Sequence, residues 1–325
     1  MRPRQLFAAV AGLIFTLQIQ PHAQAQNYPT RPIRLISPFP PGGANDVLAR
    51  VIGTKLADRL KGTVVIENRP GAGAVIGISA LAKSAPDGYT LVLSGSTLAV
   101  AGTLYKNPPF DAVKDFAPVA LVVHYPFLLV ANPSLPAKSV SELVQLAKQK
   151  PGEILYASPG VATSQHLFAE LFKVLTGIEL RHIPYNGTAP AAVDIVAGRV
   201  SLMFAAAAPT LPLVKEGSLR ALGVSSAARL AEAPDIPPIA DTVPGFDASN
   251  WSIVLAPAGT PRNIVNRLHG ELKTVMASPD VQEQLAKIGM IPIVSPSPED
   301  LQNFISTEVA RWGRIVQQAG IAGMQ

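Results

Sequence analysis

Pro38-Phe39-Pro40-Pro41-Gly42-Gly43-Ala44-Asn45-Asp46-Val47 joins two segments of different period. Before it, Ile33-Arg34-Leu35-Ile36-Ser37 is a short apolar run that reads as a strand. After it, Val47, Leu48, Val51, Ile52, Leu56 and Leu60 recur at helical spacing up to Lys61-Gly62, so a helix with one buried stripe follows. Prolines stiffen the joining loop, and glycines let backbone N–H groups come close to a ligand. Asn45 or Asp46 can cap the helix. A stiff, bare-backbone loop at a helix start suits a negative group. The same spacing also fits a plain strand-to-helix turn.

The pattern repeats downstream. Val64–Asn68 reads as a strand, and Arg69-Pro70-Gly71-Ala72-Gly73 turns the chain into a helix carrying Val75, Ile76, Ala80 and Leu81. The glycine spacing 71, 73, 77 is one residue too long for G-x-G-x-x-G, and no acidic residue follows about 20 positions on, so a dinucleotide site is excluded in favour of a tight turn. Residues 89–93 form the next strand and end in Ser94-Gly95-Ser96-Thr97. Ligands of parallel sheets sit beyond the carboxyl ends of strands, which would place Ser96 and Thr97 beside the Phe39–Asp46 loop; helix capping by either hydroxyl is the competing reading.

From Asp115 the chain is extended to Ala131, interrupted at His124-Tyr125-Pro126, as a crossing between two lobes requires. Ser139 then caps a helix, and Glu153–Ala157 is a strand leading into Ser158-Pro159-Gly160-Val161-Ala162-Thr163-Ser164-Gln165-His166. That loop mirrors the first, with Thr163 or Ser164 as N-cap. A charged His166 in the first helical turn is disfavoured by the dipole, so a neutral imidazole donating one hydrogen bond is expected, whether structural or ligand-facing. A third loop, Tyr185-Asn186-Gly187-Thr188-Ala189-Pro190, has Thr188 as its cap candidate. The strand from Val200 runs into Ala205-Ala206-Ala207-Ala208-Pro209-Thr210. Asn250–Ala256 looks like the return crossing, and the stripe Leu301, Phe304, Ile305, Val309, Trp312 and Val316 belongs to a last helix packed on the first lobe.

The chain has 325 residues, 48% of them hydrophobic, enough for about two domains. Arg2 and Arg4 precede an apolar run from Leu6 to Ile19, and Ala23-Gln24-Ala25 gives a small-x-small site. Residues 1–25 therefore read as a secretory signal peptide cleaved after Ala25. The formal charge of +5 is spread along the chain without a Lys/Arg run, so nucleic-acid binding has no support. With no cysteine, disulfides and thiolate catalysis are excluded, which suits an exported protein free in the periplasm. No nucleophile elbow, phosphate loop or carboxylate pair is placed for catalysis, and the histidines lack metal-ligand spacing. No catalytic residue, metal or cofactor is expected. A secreted hydrolase using Asp46 or His166 is the reading from a different class.

The residues resemble a known family. Phe39-Pro40-Pro41-Gly42-Gly43 with Asp46 and Arg50, Glu67-Asn68-Arg69-Pro70-Gly71-Ala72-Gly73, Pro86-Asp87-Gly88-Tyr89-Thr90-Leu91, Asp115-Phe116-Ala117-Pro118, Pro184-Tyr185-Asn186-Gly187 and Ala256-Pro257-Ala258-Gly259-Thr260-Pro261 occur in the order seen in the Bug receptors of tripartite tricarboxylate transporters. The resemblance covers essentially all of the chain after residue 25. It implies an α/β, two-lobe periplasmic-binding-protein fold of type II (Venus flytrap), each lobe a mixed sheet flanked by helices. The boundaries would be 26–125 plus 251–325 for lobe 1 and 126–250 for lobe 2. It also implies a small carboxylate as ligand, held by backbone groups of the Phe39–Asp46 and Ser158–His166 loops, and delivery to a membrane transporter of one large and one small subunit; a sensing role beside a membrane kinase is the alternative. The candidate site is Phe39, Pro41, Gly42, Gly43, Asp46, Ser96, Thr97, Gly160, Ala162, Thr163, His166, Gly187, Ala205 and Ala206. Ala205 stands where the family often carries Asp, so a ligand without an ammonium group is expected. Monomer is the default state.

Overall fold

In a computed structural model, residues 28–230 and 232–323 are described; the signal-peptide reading of residues 1–25 lies outside them. The opening loop has the expected neighbours: β1 (Ile33–Ser37) before it and α1 (Ala44–Leu60) after it. β2 (Val64–Asn68), α2 (Val75–Ala82), β3 (Thr90–Ser94) and α3 (Thr97–Leu104) follow, with a 3-10 turn at Ala72–Ala74 before α2. β1 lies between β2 and β3, parallel to both.

The extended crossing is one strand. β4 (Phe116–Ala131) runs sixteen residues without a break, although an interruption was expected at His124-Tyr125-Pro126. Its first part pairs antiparallel with β9 (Ser249–Pro257), from Phe116 opposite Pro257 to Pro126 opposite Ser249. From Phe127 onward it pairs instead with β7 (Leu202–Ala206) and β8 (Arg220–Val224). A proline removes one ladder donor without ending the strand, and the first slip of register falls between Pro118 and Ala120. The strand is buried on both faces, which explains its nearly continuous apolar sequence.

The second lobe carries α4 (Val140–Gln149), β5 (Leu155–Ser158), α5 (Ser164–Thr176), β6 (Arg181–Pro184) and α6 (Thr188–Val196). β5 lies parallel between β6 and β7. After β7 the chain turns into α7 (Ala207–Lys215), where the sequence reading had only a run-out from the strand. Alanines favour this helix, while Pro209 and Pro212 hid it. The remaining elements are α8 (Arg262–Ala277), α9 (Pro279–Ala286), β10 (Ile291–Pro292), paired with β4, and α10 (Pro298–Gln318), capped by Ser297.

Apolar burial is divided unevenly. A large cluster includes Ile33, Leu48 and Leu93 of the first lobe and continues through Phe127 and Leu129 to Phe168 and Phe172 of the second. Leu128 and Val130, on the other face of β4, join Ile195, Met203 and Val224 in a smaller cluster. The period of two along one strand thus serves two packing layers. α10 packs on α3 and β4, and also on α5, where the Trp312 ring stacks 5.8 Å from that of Phe168. The last helix therefore touches both lobes, and not the first alone.

Candidate functional site

The first loop is built to leave backbone amides bare. Gly42 has φ +82°, and the extended Gly43 is the N-cap of α1, so no side chain caps this helix. Asn45 and Asp46, the expected caps, do other work. Asn45 accepts from the Ser37 hydroxyl (2.8 Å) and donates to the Leu93 carbonyl (3.3 Å), tying α1 to the end of β3. Asp46 is buried and its carboxylate accepts from Gly42 N (3.0 Å), Asn68 Nδ2 (2.8 Å) and Arg50 Nε and Nη2 (2.9 and 3.1 Å). Burial pushes this carboxyl up, but the bonds from Arg50, Gly42 and Asn68 outweigh it and hold it below the usual range. Asp46 is thus a strut of the loop. Asn68 also holds the Phe39 carbonyl (3.1 Å), and Pro41 is exposed beside it.

The facing loop uses the same device. Gly160 (φ +144°) and the buried Ala162 (φ +68°) bend the chain into α5, whose N-cap is Thr163. The Thr163 hydroxyl donates to the Gly160 carbonyl (2.7 Å) and caps nothing. His166 accepts from the Ala162 amide at Nδ1 (3.4 Å). The neutral imidazole was expected to donate; in the structure the bond seen is accepted. Burial, with Lys173 adding to it, lowers His166 to about 4. The ring stacks 4.3 Å from His182, which stacks 4.7 Å from Tyr156. Burial, and then His166, lowers His182 to about 3. Glu170 beneath them accepts from the Tyr156 hydroxyl (2.6 Å) and Lys173 Nζ (2.7 and 2.8 Å), and the Ser158 hydroxyl bonds His182 Nε2 (2.7 Å). Sequence reading missed His182, Tyr156, Glu170 and Lys173. The available signal was register, since Tyr156 and His182 are direct partners on β5 and β6.

Contacts between these loops close the arrangement. A Cβ built on Gly187, the N-cap of α6 in place of the expected Thr188, would lie 3.7 Å from Pro40 of the first loop. The Gly187 amide donates to the Pro159 carbonyl (3.1 Å). The Ser96 and Ser164 hydroxyls lie 2.7 Å apart, and Thr97 Oγ1 reaches the carbonyls of Gly73 (2.8 Å) and Ala162 (3.1 Å). The starts of α1, α3, α5 and α6 are thus linked pairwise through Pro40–Gly187, Gly187–Pro159, Ser96–Ser164 and Thr97–Ala162. First-turn amides have no partner inside their own helix. Ala205 is placed apart, in the smaller apolar cluster, and Ala206 heads α7 from the end of β7. Among the described residues no His, Asp and Glu cluster could hold a metal ion.

The model of the tripartite tricarboxylate transporter family receptors matches residues 48–321. The protein BugT of Bordetella pertussis is 39% identical over 323 residues, which are 98% of this chain and 99% of BugT. Two solved structures superpose with TM-scores of 0.83: an R. palustris protein with adipate, at 36% identity, and the periplasmic binding protein BugD, at 33%. Each alignment covers 91% of this chain and 99% of the other.

Proposed function

This chain belongs to the tripartite tricarboxylate transporter receptor family, and from that premise we propose that it captures a small organic acid in the periplasm and delivers it to a two-subunit membrane transporter. The observation that carries the acid is the pair of helix starts, Gly43 of α1 and Thr163 of α5, that lack side-chain caps and whose loops are both met by Gly187, through Pro40 on one side and Pro159 on the other. A helix N-terminus favours an anion by about 0.3–1 kcal/mol. Hydrogen bonds to a charged group add roughly 1.5–3 kcal/mol each. A few of them, offset by the cost of ordering, reach about −8 kcal/mol, or micromolar affinity. The adipate in one structural neighbour supports a carboxylate of this kind.

We take the lobes to be 26–125 plus 251–325 and 126–250, the chain to act as a monomer, and the leader to end at Ala25. The protein is read as a binder without turnover. Asp46 is saturated by donors and His166 is stacked beneath the loop, so neither is set as a base. The test is thermal unfolding of the processed chain with adipate and with its neutral diamide. Adipate should raise Tm by mass action and be recovered unchanged, while the diamide should not. Equal shifts with both compounds, or none with a panel of mono- and dicarboxylates, would overturn the acid reading.

A further inference from the structure

Ser96 and Thr97, at the start of α3, spend their hydroxyls on the opposite lobe. Ser164 donates to Asn250 Oδ1, so the proton in the 2.7 Å Ser96–Ser164 contact comes from Ser96. Asn250 Nδ2 donates in turn to the Tyr125 hydroxyl. All four residues are buried. Asn250 and Tyr125 are register partners on β9 and β4, one pair before β4 changes sheets. The bonds therefore run in one direction from the start of α3, through the start of α5, to the hinge strands. Thr97 adds a second clasp: its single proton is shared between Gly73 O on its own lobe and Ala162 O on the other.

We propose that Ser96, Ser164 and Asn250 form a latch between the start of α3 and the hinge, with Thr97 as a parallel clasp, and that these side chains set how long the lobes stay closed. They are positioning residues, acting on the ligand through closure. Opening breaks the Ser96–Ser164 and Thr97–Ala162 contacts and leaves the Tyr125–Asn250 pair within the hinge strands intact. The same hydroxyls could instead touch the ligand, and the two roles differ kinetically. A latch formed after capture changes dissociation and leaves association alone.

The proposal rests on the organic-acid reading for its ligand, so adipate is the probe, followed by stopped-flow tryptophan fluorescence. Ser96→Ala and Ser164→Ala should each speed dissociation about tenfold, the factor that one net hydrogen bond is worth. Association should not change. The double variant should dissociate like either single one, because Ser96–Ser164 is the only bond either removes that opening breaks; the Ser164–Asn250 bond lies on the hinge side of it. Thr97→Val, of equal volume, should speed dissociation less, since Gly73 already holds part of its proton. Unchanged dissociation, slowed association, or additive losses in the double variant would overturn the latch. If wild type takes up no adipate, the acid reading goes to the carboxylate panel and small-angle scattering of the ligand-free chains decides the latch. Ser96→Ala and Ser164→Ala must then show a larger radius of gyration than wild type, and equal radii refute it.

Discussion

Gly73 is the residue at which one methyl group should matter most. Its φ is +60°, and a Cβ built there would stand 1.9 Å from the Val161 carbonyl of the opposite lobe. Gly73→Ala pays about 1 kcal/mol for the left-handed backbone alone. The clash adds nothing to the cost of an open protein, because it exists only when the lobes meet. The variant should stay folded yet bind adipate at least about tenfold more weakly, since a ligand held by one lobe keeps only part of its donors. Calorimetric affinity equal to wild type would mean that closure does not bring these loops together. Asp46→Ala should act differently, on stability as well as binding. It takes the carboxylate acceptor from Gly42 N and Arg50 and one of two acceptors from Asn68 Nδ2, and hydrogen bonds to a charged group contribute about 1.5–3 kcal/mol. The urea midpoint should fall accordingly, and an unmoved midpoint would show that the loop does not need its strut.

At the scale of elements, α5 carries a pH dependence. Unfolded histidine titrates near 6.5, whereas burial holds folded His166 near 4 and His182 near 3. Between those values the unfolded chain binds more protons than the folded one. Stability is therefore full above about pH 6.5 and falls as pH drops towards 4. For His166 alone the loss at pH 5 is about 2 kcal/mol. Tyr156, His182, Glu170 and Lys173 face it, and none of them offers the imidazolium a close acceptor other than Glu170, 3.8 Å away and already bonded to Tyr156 and Lys173. Urea midpoints at pH 7.5 and 5 should differ, and His166→Gln should remove part of the difference and leave the share of His182; identical midpoints in wild type would refute the burial account. These elements were legible to unequal degrees. The strand–loop–helix units at 33–60 and 155–176 stand out because their periods change from 2 to 3.6 across a Pro/Gly loop. At α5 Thr163 holds the N-cap position as read, but at α1 and α6 the caps were misread, because Asn45, Asp46 and Thr188 are good capping types while Gly43 and Gly187 hold those positions without a side-chain bond. The stacked rings were invisible because His166 and His182 meet only once β5 and β6 are in register.

Over the whole molecule, the crossings were readable as long extended runs, but the role of α10 was not. An apolar stripe shows that a face is buried without showing against what. Trp312, on that stripe, stacks on Phe168 of the second lobe, while Trp251, on the crossing β9, packs edge-on at 5.2 Å against Phe304 of α10 itself. Both indoles donate to the buried Glu308, at 2.9 and 2.7 Å. These are the only tryptophans in the chain, so its intrinsic fluorescence reports on this corner alone. If the lobes turn about β4 and β9, Trp251 travels with its neighbours, whereas the Trp312–Phe168 contact must shift. Adipate should therefore change the emission, and Trp312→Phe should abolish most of the change while calorimetric affinity stays near wild type. Trp251→Phe should keep the signal. Each substitution takes one donor from the Glu308 carboxylate, about 1.5–3 kcal/mol, and leaves it the other indole. A signal that survives in Trp312→Phe and vanishes in Trp251→Phe would place the moving contact in the strands and make α10 and α5 one rigid body.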